Sequence, residues 1–131
     1  MFGWCGEILV VDLSSMKAKR VEADRELLYG YMGGRGLGAK MLYDHTSPSA
    51  DPFSPENILV FAVGPLTGTR VYASGRYAVV GRSPLTGGCF YSSSGGFFGA
   101  SLKKAGFDAL AVRGRAEKPV LLVVDDGDVE F

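Results

Sequence analysis

The chain has 131 residues, 47% hydrophobic and 21% charged, with 14 basic and 14 acidic side chains and a formal net charge of zero. This composition predicts one domain with an apolar core and excludes a globally disordered chain. The lack of a basic excess argues against nucleic acid as a partner, because such binding relies on displaced counterions. The sequence shows neither a membrane-spanning stretch nor a signal-peptide core, so we expect a cytoplasmic protein without a membrane partner.

The chemistry-bearing residues of the chain are few. Two cysteines, Cys5 and Cys89, and one histidine, His45, cannot by themselves form a zinc site or an iron–sulfur cluster. The sequence has no G-x-S-x-G nucleophile motif, and His45 is its only histidine base. We therefore predict no catalytic residue in this chain.

The first half of the sequence predicts a hairpin followed by two helices. Asp24 is placed to cap the first helix, and the pair Gly33 and Gly34 is placed to end it. The predicted elements are a strand over 7–13, a strand over 18–22, a helix over 25–32 and a helix over 37–45.

The second half is richer in strands and begins after a loop over 46–57. The predicted elements are strands over 58–63, 77–81 and 89–92, a helix over 97–105, and strands over 109–113, 120–125 and 129–131. The last two strands are joined by the hairpin signal DDGD at 125–128. Because strands do not alternate regularly with long helices, we predict an α+β fold with mixed or antiparallel sheets and about three short helices.

Two glycine-containing patterns allow more than one interpretation. GRGLGA at 34–39 matches the dinucleotide pattern G-x-G-x-x-A, but that pattern requires a preceding strand, and a helix is predicted there. A turn between two helices is the favoured interpretation. PLTG occurs at 65–68 and again at 84–87, each time after an apolar strand, which is explained equally well by turn chemistry or by a shared functional loop.

Two sites suggest anion binding, each with a structural alternative. The segment YSSSGG at 91–96 precedes the predicted helix over 97–105, and helix N-termini attract anions. Serine is also a favoured N-cap, so a purely structural cap remains open. Arg76 follows Ser74 and Gly75 and could hold a phosphate through its planar fork, or form a surface ion pair.

Seven short motifs carry a resemblance that covers essentially the whole chain. They are GGRGL at 33–37, DPFSPEN at 51–57, GPLTGT at 64–69, GR at 75–76, SPLTG at 83–87, SGGFFG at 94–99 and KAGFD at 104–108. In order and with matching gaps, they resemble the N-terminal domain of the aldehyde ferredoxin oxidoreductases. Each motif alone is weak, whereas all of them in register are specific.

The resemblance implies an α+β domain of two sheets that forms the base for a bis-pterin cofactor. In that family the pterins hold tungsten, or sometimes molybdenum, and Mg²⁺ links their phosphates. The enzyme oxidises aldehydes to carboxylic acids and passes electrons through a [4Fe–4S] cluster to ferredoxin. The family's cluster cysteines and substrate pocket lie outside the matching region. We therefore expect residues 1–131 to be a partial cofactor-binding domain, inactive alone, whose partners are the remainder of the enzyme and ferredoxin.

The resemblance also implies cofactor-binding residues. Arg76 matches the family's arginine at the pterin, and Ser93, Ser94, Gly95 and Gly96 match a segment at the pterin and magnesium. Ser93 stands where the best-known members have asparagine. The change is mild if the magnesium contact is a main-chain carbonyl, whereas cofactor geometry or specificity would differ if the amide side chain makes the contact.

A second hypothesis belongs to another class of protein. The chain could be a stand-alone binding module or a split-gene subunit without enzymatic activity. A module of this kind would self-associate as a homodimer through an edge strand.

Overall fold

A six-stranded mixed sheet forms the centre of the computed structural model, which describes residues 3–131. The elements are β1 (Glu7–Asp12), β2 (Lys17–Glu22), α1 (Arg25–Tyr31), α2 (Gly34–His45), β3 (Ile58–Val63), β4 (Tyr77–Arg82), β5 (Cys89–Ser94), α3 (Phe98–Lys104), β6 (Ala109–Arg113), β7 (Val123–Asp125) and β8 (Asp128–Glu130). The strand order in the large sheet is β2-β1-β6-β3-β4-β5, and β7 and β8 form a separate hairpin. Only β1 and β6 pair in parallel within this sheet. The predicted α+β class with a mixed sheet and three helices is confirmed.

The two faces of the sheet carry separate apolar clusters, because successive side chains of a strand point to opposite faces. On one face, Leu28 of α1 and Leu37 and Met41 of α2 pack against Val60 and Val80. The cluster on the other face contains Leu9, Val11, Val63, Leu102 and Phe107, and the β7–β8 hairpin covers part of it. Across residues 3–131, no helix has both the length and the apolar character that crossing a membrane requires.

Helix α2 lies unusually close to the sheet at Gly38. A Cβ added to Gly38 would stand 2.6 Å from the Cγ2 atom of Val80 on β4. No ordinary side chain can occupy that space without moving either the helix or the strand. The sequence thus fixes the depth at which α2 sits on β4, and with it the position of the first turn of α2.

A buried carboxylate connects the chain preceding β1 to the chain following α3. Asp108 is fully buried and accepts hydrogen bonds from the N–H groups of Cys5, at 3.1 Å, and Gly6, at 2.7 Å. The Lys103 ammonium forms an ion pair with the same carboxylate. A buried charge is tolerated only when it is paired and hydrogen-bonded, and here both conditions are met.

Several predicted boundaries differ from the structure, most importantly around the serines. Strand β5 continues to Ser94 instead of ending at residue 92, because antiparallel pairing with β4 places Ser93 opposite Ala78 and Ser94 opposite Tyr77. Helix α3 is preceded by Phe97, which makes no side-chain cap hydrogen bond, so of the two alternatives for the serine segment a serine N-cap is excluded. Helix α2 begins three residues earlier than predicted, at Gly34, and β7 begins at Val123 instead of residue 120.

Candidate functional site

A cleft of about 590 Å³ opens at one end of the sheet, where α2 begins, β3 and β5 end and β4 begins. Its lining includes Arg35, Gly64, Thr67, Arg76, Tyr91 and Ser93. The lining contains two arginines and no acidic side chain. Positive charge without a neutralising carboxylate makes this cleft suited to an anionic ligand.

Strand β5 separates the serines that the sequence placed side by side. Ser93 is paired with Ala78, a residue of the cluster beneath α2, so its side chain lies on the α2 face and lines the cleft. Ser94 follows directly in the strand and therefore points to the opposite face. Gly95 and Gly96 come after the strand, and neither they nor Ser94 line the cleft. The fold thus brings Arg76 and Ser93 together and leaves the other three predicted site residues outside the lining.

Gly75 and Gly99 permit close packing between the loop before β4 and the segment that runs from the end of β5 into α3. A Cβ on Gly75 would lie 3.3 Å from the carbonyl oxygen of Gly96, and a Cβ on Gly99 would lie 3.1 Å from the carbonyl oxygen of Gly75. Since the Gly75 segment leads directly into Arg76, this contact fixes the loop that carries the arginine.

The hydroxyl of Thr67 ties together two walls of the cleft. Thr67 is only 5% exposed, and its Oγ1 accepts a hydrogen bond from the N–H of Gly64 at 3.0 Å. The same hydroxyl donates to the main-chain carbonyl of Arg76 at 3.3 Å. The backbone of Arg76 is therefore positioned from the loop after β3, even though its guanidinium is free to face the cleft.

The two PLTG segments have different roles in the structure. Gly68 and Gly87 share a left-handed backbone, with φ of 79° and 68°. Thr86 is exposed, however, and its Oγ1 accepts a hydrogen bond from the N–H of Gly88 at 3.3 Å, outside the cleft. Common turn chemistry accounts for the repeat, and only its first copy contributes to the cleft.

Gly33 brings the start of α2 against the end of β3. Its φ is 139°, and a Cβ there would stand 2.4 Å from the carbonyl oxygen of Val63, so only glycine fits. Gly33 is the N-cap of α2 and provides no side-chain cap, and the first turn contains no acidic residue. The partial positive charge of this helix end is therefore not neutralised within its own first turn. The segment before α2 is α1, and not the strand that a dinucleotide motif requires.

Arg35 and Tyr91 are site residues that the sequence reasoning missed. The guanidinium carbon of Arg35 lies 4.5 Å from the centroid of the Tyr91 ring, and both side chains line the cleft. Among the ion pairs formed within residues 3–131, none involves Arg35 or Arg76. Tyr91 could have been predicted from the sequence, because residues two positions apart in a strand point to the same face, and Tyr91 stands two positions before Ser93.

Within residues 3–131, the side chains do not provide a metal site of their own. No group of three or more His, Cys, Asp or Glu side chains converges in the described part of the chain. Ser93 offers a hydroxyl and a carbonyl, whereas Mg²⁺ takes six oxygen ligands. A magnesium ion at Ser93 would therefore need most of its ligands from phosphate oxygens and water.

Comparisons with known proteins agree with the geometry of this domain. The family described as "Aldehyde ferredoxin oxidoreductase, N-terminal domain" matches residues 8–131. The tungsten-containing aldehyde ferredoxin oxidoreductase of Pyrococcus horikoshii is 48% identical over all 131 residues. A protein of Pyrococcus furiosus named "Aliphatic sulfonate oxidoreductase, WOR-like subunit" is 36% identical over an alignment of 134 positions that covers the whole chain.

A solved structure extends the agreement to the fold. A chain of the active-site complex BamBC of benzoyl coenzyme A reductase, solved with 1,5-dienoyl-CoA, superposes with a TM-score of 0.95 at 39% identity. The superposition covers 98% of this chain and 20% of that one. The present chain likewise spans 22% of the P. horikoshii protein and 21% of the P. furiosus subunit. On the family match and the identities of these relatives, the chain belongs to the aldehyde ferredoxin oxidoreductase family, as its N-terminal domain.

Proposed function

We propose that this domain binds one side of a tungsten or molybdenum bis-pterin cofactor in an enzyme that oxidises aldehydes to carboxylic acids. The observation that carries the proposal is the cleft in which Arg76 and Ser93 meet, lined by two arginines and no carboxylate. A pterin cofactor with phosphate groups presents the negative charge that such a lining requires. The remainder of the enzyme would supply the [4Fe–4S] cluster and the substrate pocket.

The residues present fit this cofactor as a binding surface. In the proposal, the Arg76 guanidinium donates a pair of hydrogen bonds to a phosphate, a geometry that lysine cannot reproduce. Thr67 keeps the Arg76 backbone in place. Ser93 would provide an oxygen ligand to Mg²⁺, whose other ligands would be phosphate oxygens and water. When bound, the metal centre supplies the redox chemistry, and this chain contributes binding and orientation.

The overall reaction defines what the rest of the enzyme must do. An aldehyde and water give a carboxylic acid, two protons and two electrons. In the proposal the remainder of the enzyme would hold a [4Fe–4S] cluster that supplies the route for these two electrons to ferredoxin. The cleft lining contains no histidine or carboxylate, and the proposal assigns this chain cofactor binding and no proton transfer.

The proposal is tested in the full-length enzyme produced with tungstate in the medium. We expect Arg76→Gln to lower both bound tungsten and released pterin per polypeptide, with aldehyde-dependent viologen reduction falling in proportion. Arg76→Lys should lie between Arg76→Gln and the wild type, because it keeps the charge but loses the planar fork. Arg25→Gln is the matched control, since Arg25 is exposed at the start of α1 and lies outside the cleft. Wild-type cofactor content in Arg76→Gln would contradict the proposal.

A second substrate class is favoured by one observation, the 39% identity to a chain of benzoyl coenzyme A reductase. The aldehyde remains the first choice, because the P. horikoshii aldehyde oxidoreductase is 48% identical. Assaying the full-length enzyme with a panel of aldehydes for viologen reduction, and with aromatic CoA thioesters for oxidation of a reduced viologen, distinguishes the two. Turnover of the thioesters alone would replace the aldehyde assignment while leaving the cofactor-binding role intact.

A further inference from the structure

We infer that Arg35, held against the ring of Tyr91, is a second phosphate-binding arm of the cleft and acts on the same cofactor as Arg76. The inference deepens the proposed function and rests on it. The two arginines come from different elements, since Arg35 lies in the first turn of α2 and Arg76 lies directly before β4. Both line the one cleft.

The cation–π contact with Tyr91 leaves the guanidinium of Arg35 available to bind a ligand. Its guanidinium carbon is 4.5 Å from the centroid of the Tyr91 ring, a distance typical of a cation–π contact. No N–H group of this guanidinium donates a hydrogen bond to another group within residues 3–131, so its donors remain available to a ligand. Tyr91 remains 53% exposed, so the pair lies at the surface of the cleft and not in the core. The ring thus restricts a long, flexible side chain without using its hydrogen-bond donors.

The charges of the cleft identify the chemical class of the ligand. Two guanidinium groups line the same cleft, and neither takes part in an ion pair within residues 3–131. Like charges in one cleft repel each other, and an anion between them removes that repulsion. A phosphate suits this arrangement better than a carboxylate, because its three terminal oxygens can accept from two separate arginines.

The contact between Arg35 and Tyr91 can be tested by replacing the tyrosine. Tyr91 belongs to β5, the strand at the edge of the large sheet, and is paired with Val80 on β4. The contact between Arg35 and Tyr91 therefore spans from α2 to the edge strand. If Tyr91 acts by orienting Arg35, its removal matters only while Arg35 is present.

The experiment measures the rate of cofactor loss from the full-length enzyme. The enzymes dialysed at fixed ionic strength are wild type, Arg35→Gln, Arg35→Lys, Tyr91→Phe, Tyr91→Leu, the double variant Arg35→Gln/Tyr91→Leu, and Arg76→Gln for comparison. Retained tungsten is measured by elemental analysis, and retained pterin by the fluorescence of its oxidised form. Arg25→Gln is the control, and thermal unfolding of each variant reports on the fold.

We expect Arg35→Gln to lose cofactor about tenfold faster than wild type, which corresponds to the loss of one charge-assisted hydrogen bond. Arg35→Lys should be intermediate, Tyr91→Phe should match wild type, and Tyr91→Leu should be faster than wild type. Tyr91→Leu should add nothing in the Arg35→Gln background, a non-additivity that a merely structural role would not produce.

Three results would overturn the inference. Arg35→Gln could retain tungsten and pterin as wild type does, while Arg76→Gln loses them. Arg35→Gln could lower the unfolding temperature without changing cofactor loss, which would assign Arg35 to a protein contact. A wild-type enzyme that contains no pterin would contradict the proposed function itself, and the inference with it.

Discussion

Among individual residues, Thr67 shapes the cleft by connecting two of the backbone segments that line it. Its buried hydroxyl accepts from the Gly64 N–H and donates to the Arg76 carbonyl, so one oxygen joins the loop after β3 to the residue before β4. Binding residues need such supporting contacts, and a small displacement of Arg76 would spoil the two-point hydrogen bond to phosphate that we propose for it.

Replacing Thr67 tests this role against a control that the chain itself provides. Thr67→Val keeps the shape but leaves the Gly64 N–H unpaired, which should lower the free energy of unfolding by about 1–3 kcal/mol and speed cofactor loss. Thr67→Ser should preserve both properties. Thr86→Val alters the exposed threonine of the second PLTG segment and should change stability by less than about 0.5 kcal/mol. Urea unfolding of the three variants checks the prediction, and equal stability of Thr67→Val and wild type would contradict it.

Asp12 gives the molecule a pH-dependent contact at the end of β1. The N–H groups of Ser15 and Ser14 and the guanidinium of Arg113 hold the pKa of the Asp12 carboxyl below its usual value. A lowered pKa in the folded state means that the contribution is present above the unfolded pKa of about 3.9 and is lost as the pH falls through the folded pKa.

Asp12→Asn should therefore destabilise the chain at pH 6 and lose its effect toward pH 2.5. Urea midpoints measured for wild type and variant across that range give the comparison. Asp128→Asn is the control, because the Asp128 side chain makes no hydrogen bond within residues 3–131. A difference between Asp12→Asn and wild type that stays constant down to pH 2.5 would argue against a contribution from the charged carboxylate.

At the scale of elements, the position of α2 on the sheet decides where Arg35 lies. Gly38 allows the helix to approach Val80, and Gly33 allows its first turn to approach the end of β3. Since Arg35 lies between these two contacts in the sequence, its place at the cleft follows from backbone packing.

Gly38→Ala should consequently destabilise the domain, although alanine is the better helix former by about 1 kcal/mol. The added methyl group would overlap Val80 and should cost about 1–3 kcal/mol through overpacking. Val80→Ala in the same chain should recover part of that loss, which shows that the two side chains compete for one space. Gly30→Ala in α1 is the control, because a Cβ there meets nothing within 4 Å and should be neutral or stabilising. Denaturant unfolding gives all four free energies.

The elements also show how far the sequence alone could lead. Strand β3 was predictable from its run of apolar residues. The hairpin turn was predictable from the dipeptide Asp126-Gly127, whose residues both adopt the positive φ that such a turn requires. The end of β5 was not, since serine has little strand preference and Ser93 and Ser94 are held by β4, which is distant in the sequence. That long-range pairing decides which serine faces the cleft. Arg76 could be proposed from its motif, whereas the Arg35–Tyr91 contact depends on how α2 meets β5.

At the scale of the whole molecule, several large apolar side chains lie on the surface. Tyr72, Leu85 and Phe97 are 96%, 93% and 89% exposed. Because the chain spans 22% of the P. horikoshii relative, we expect the remainder of the enzyme to be the partner for such residues.

The last prediction separates a domain of a larger enzyme from an independent module. The purified 131-residue chain should reduce no viologen with any aldehyde, because its two cysteines are too few to hold the [4Fe–4S] cluster that would pass on the electrons. The full-length enzyme, assayed in parallel, should do so. Light scattering of the same chain addresses the homodimer expected for a stand-alone module, in which the edge strand β5 would pair with its copy. Aldehyde-dependent viologen reduction by the chain alone would refute the proposal that activity requires the remainder of the enzyme. An inactive but stable dimer that gains no activity with the rest of the enzyme would favour the module.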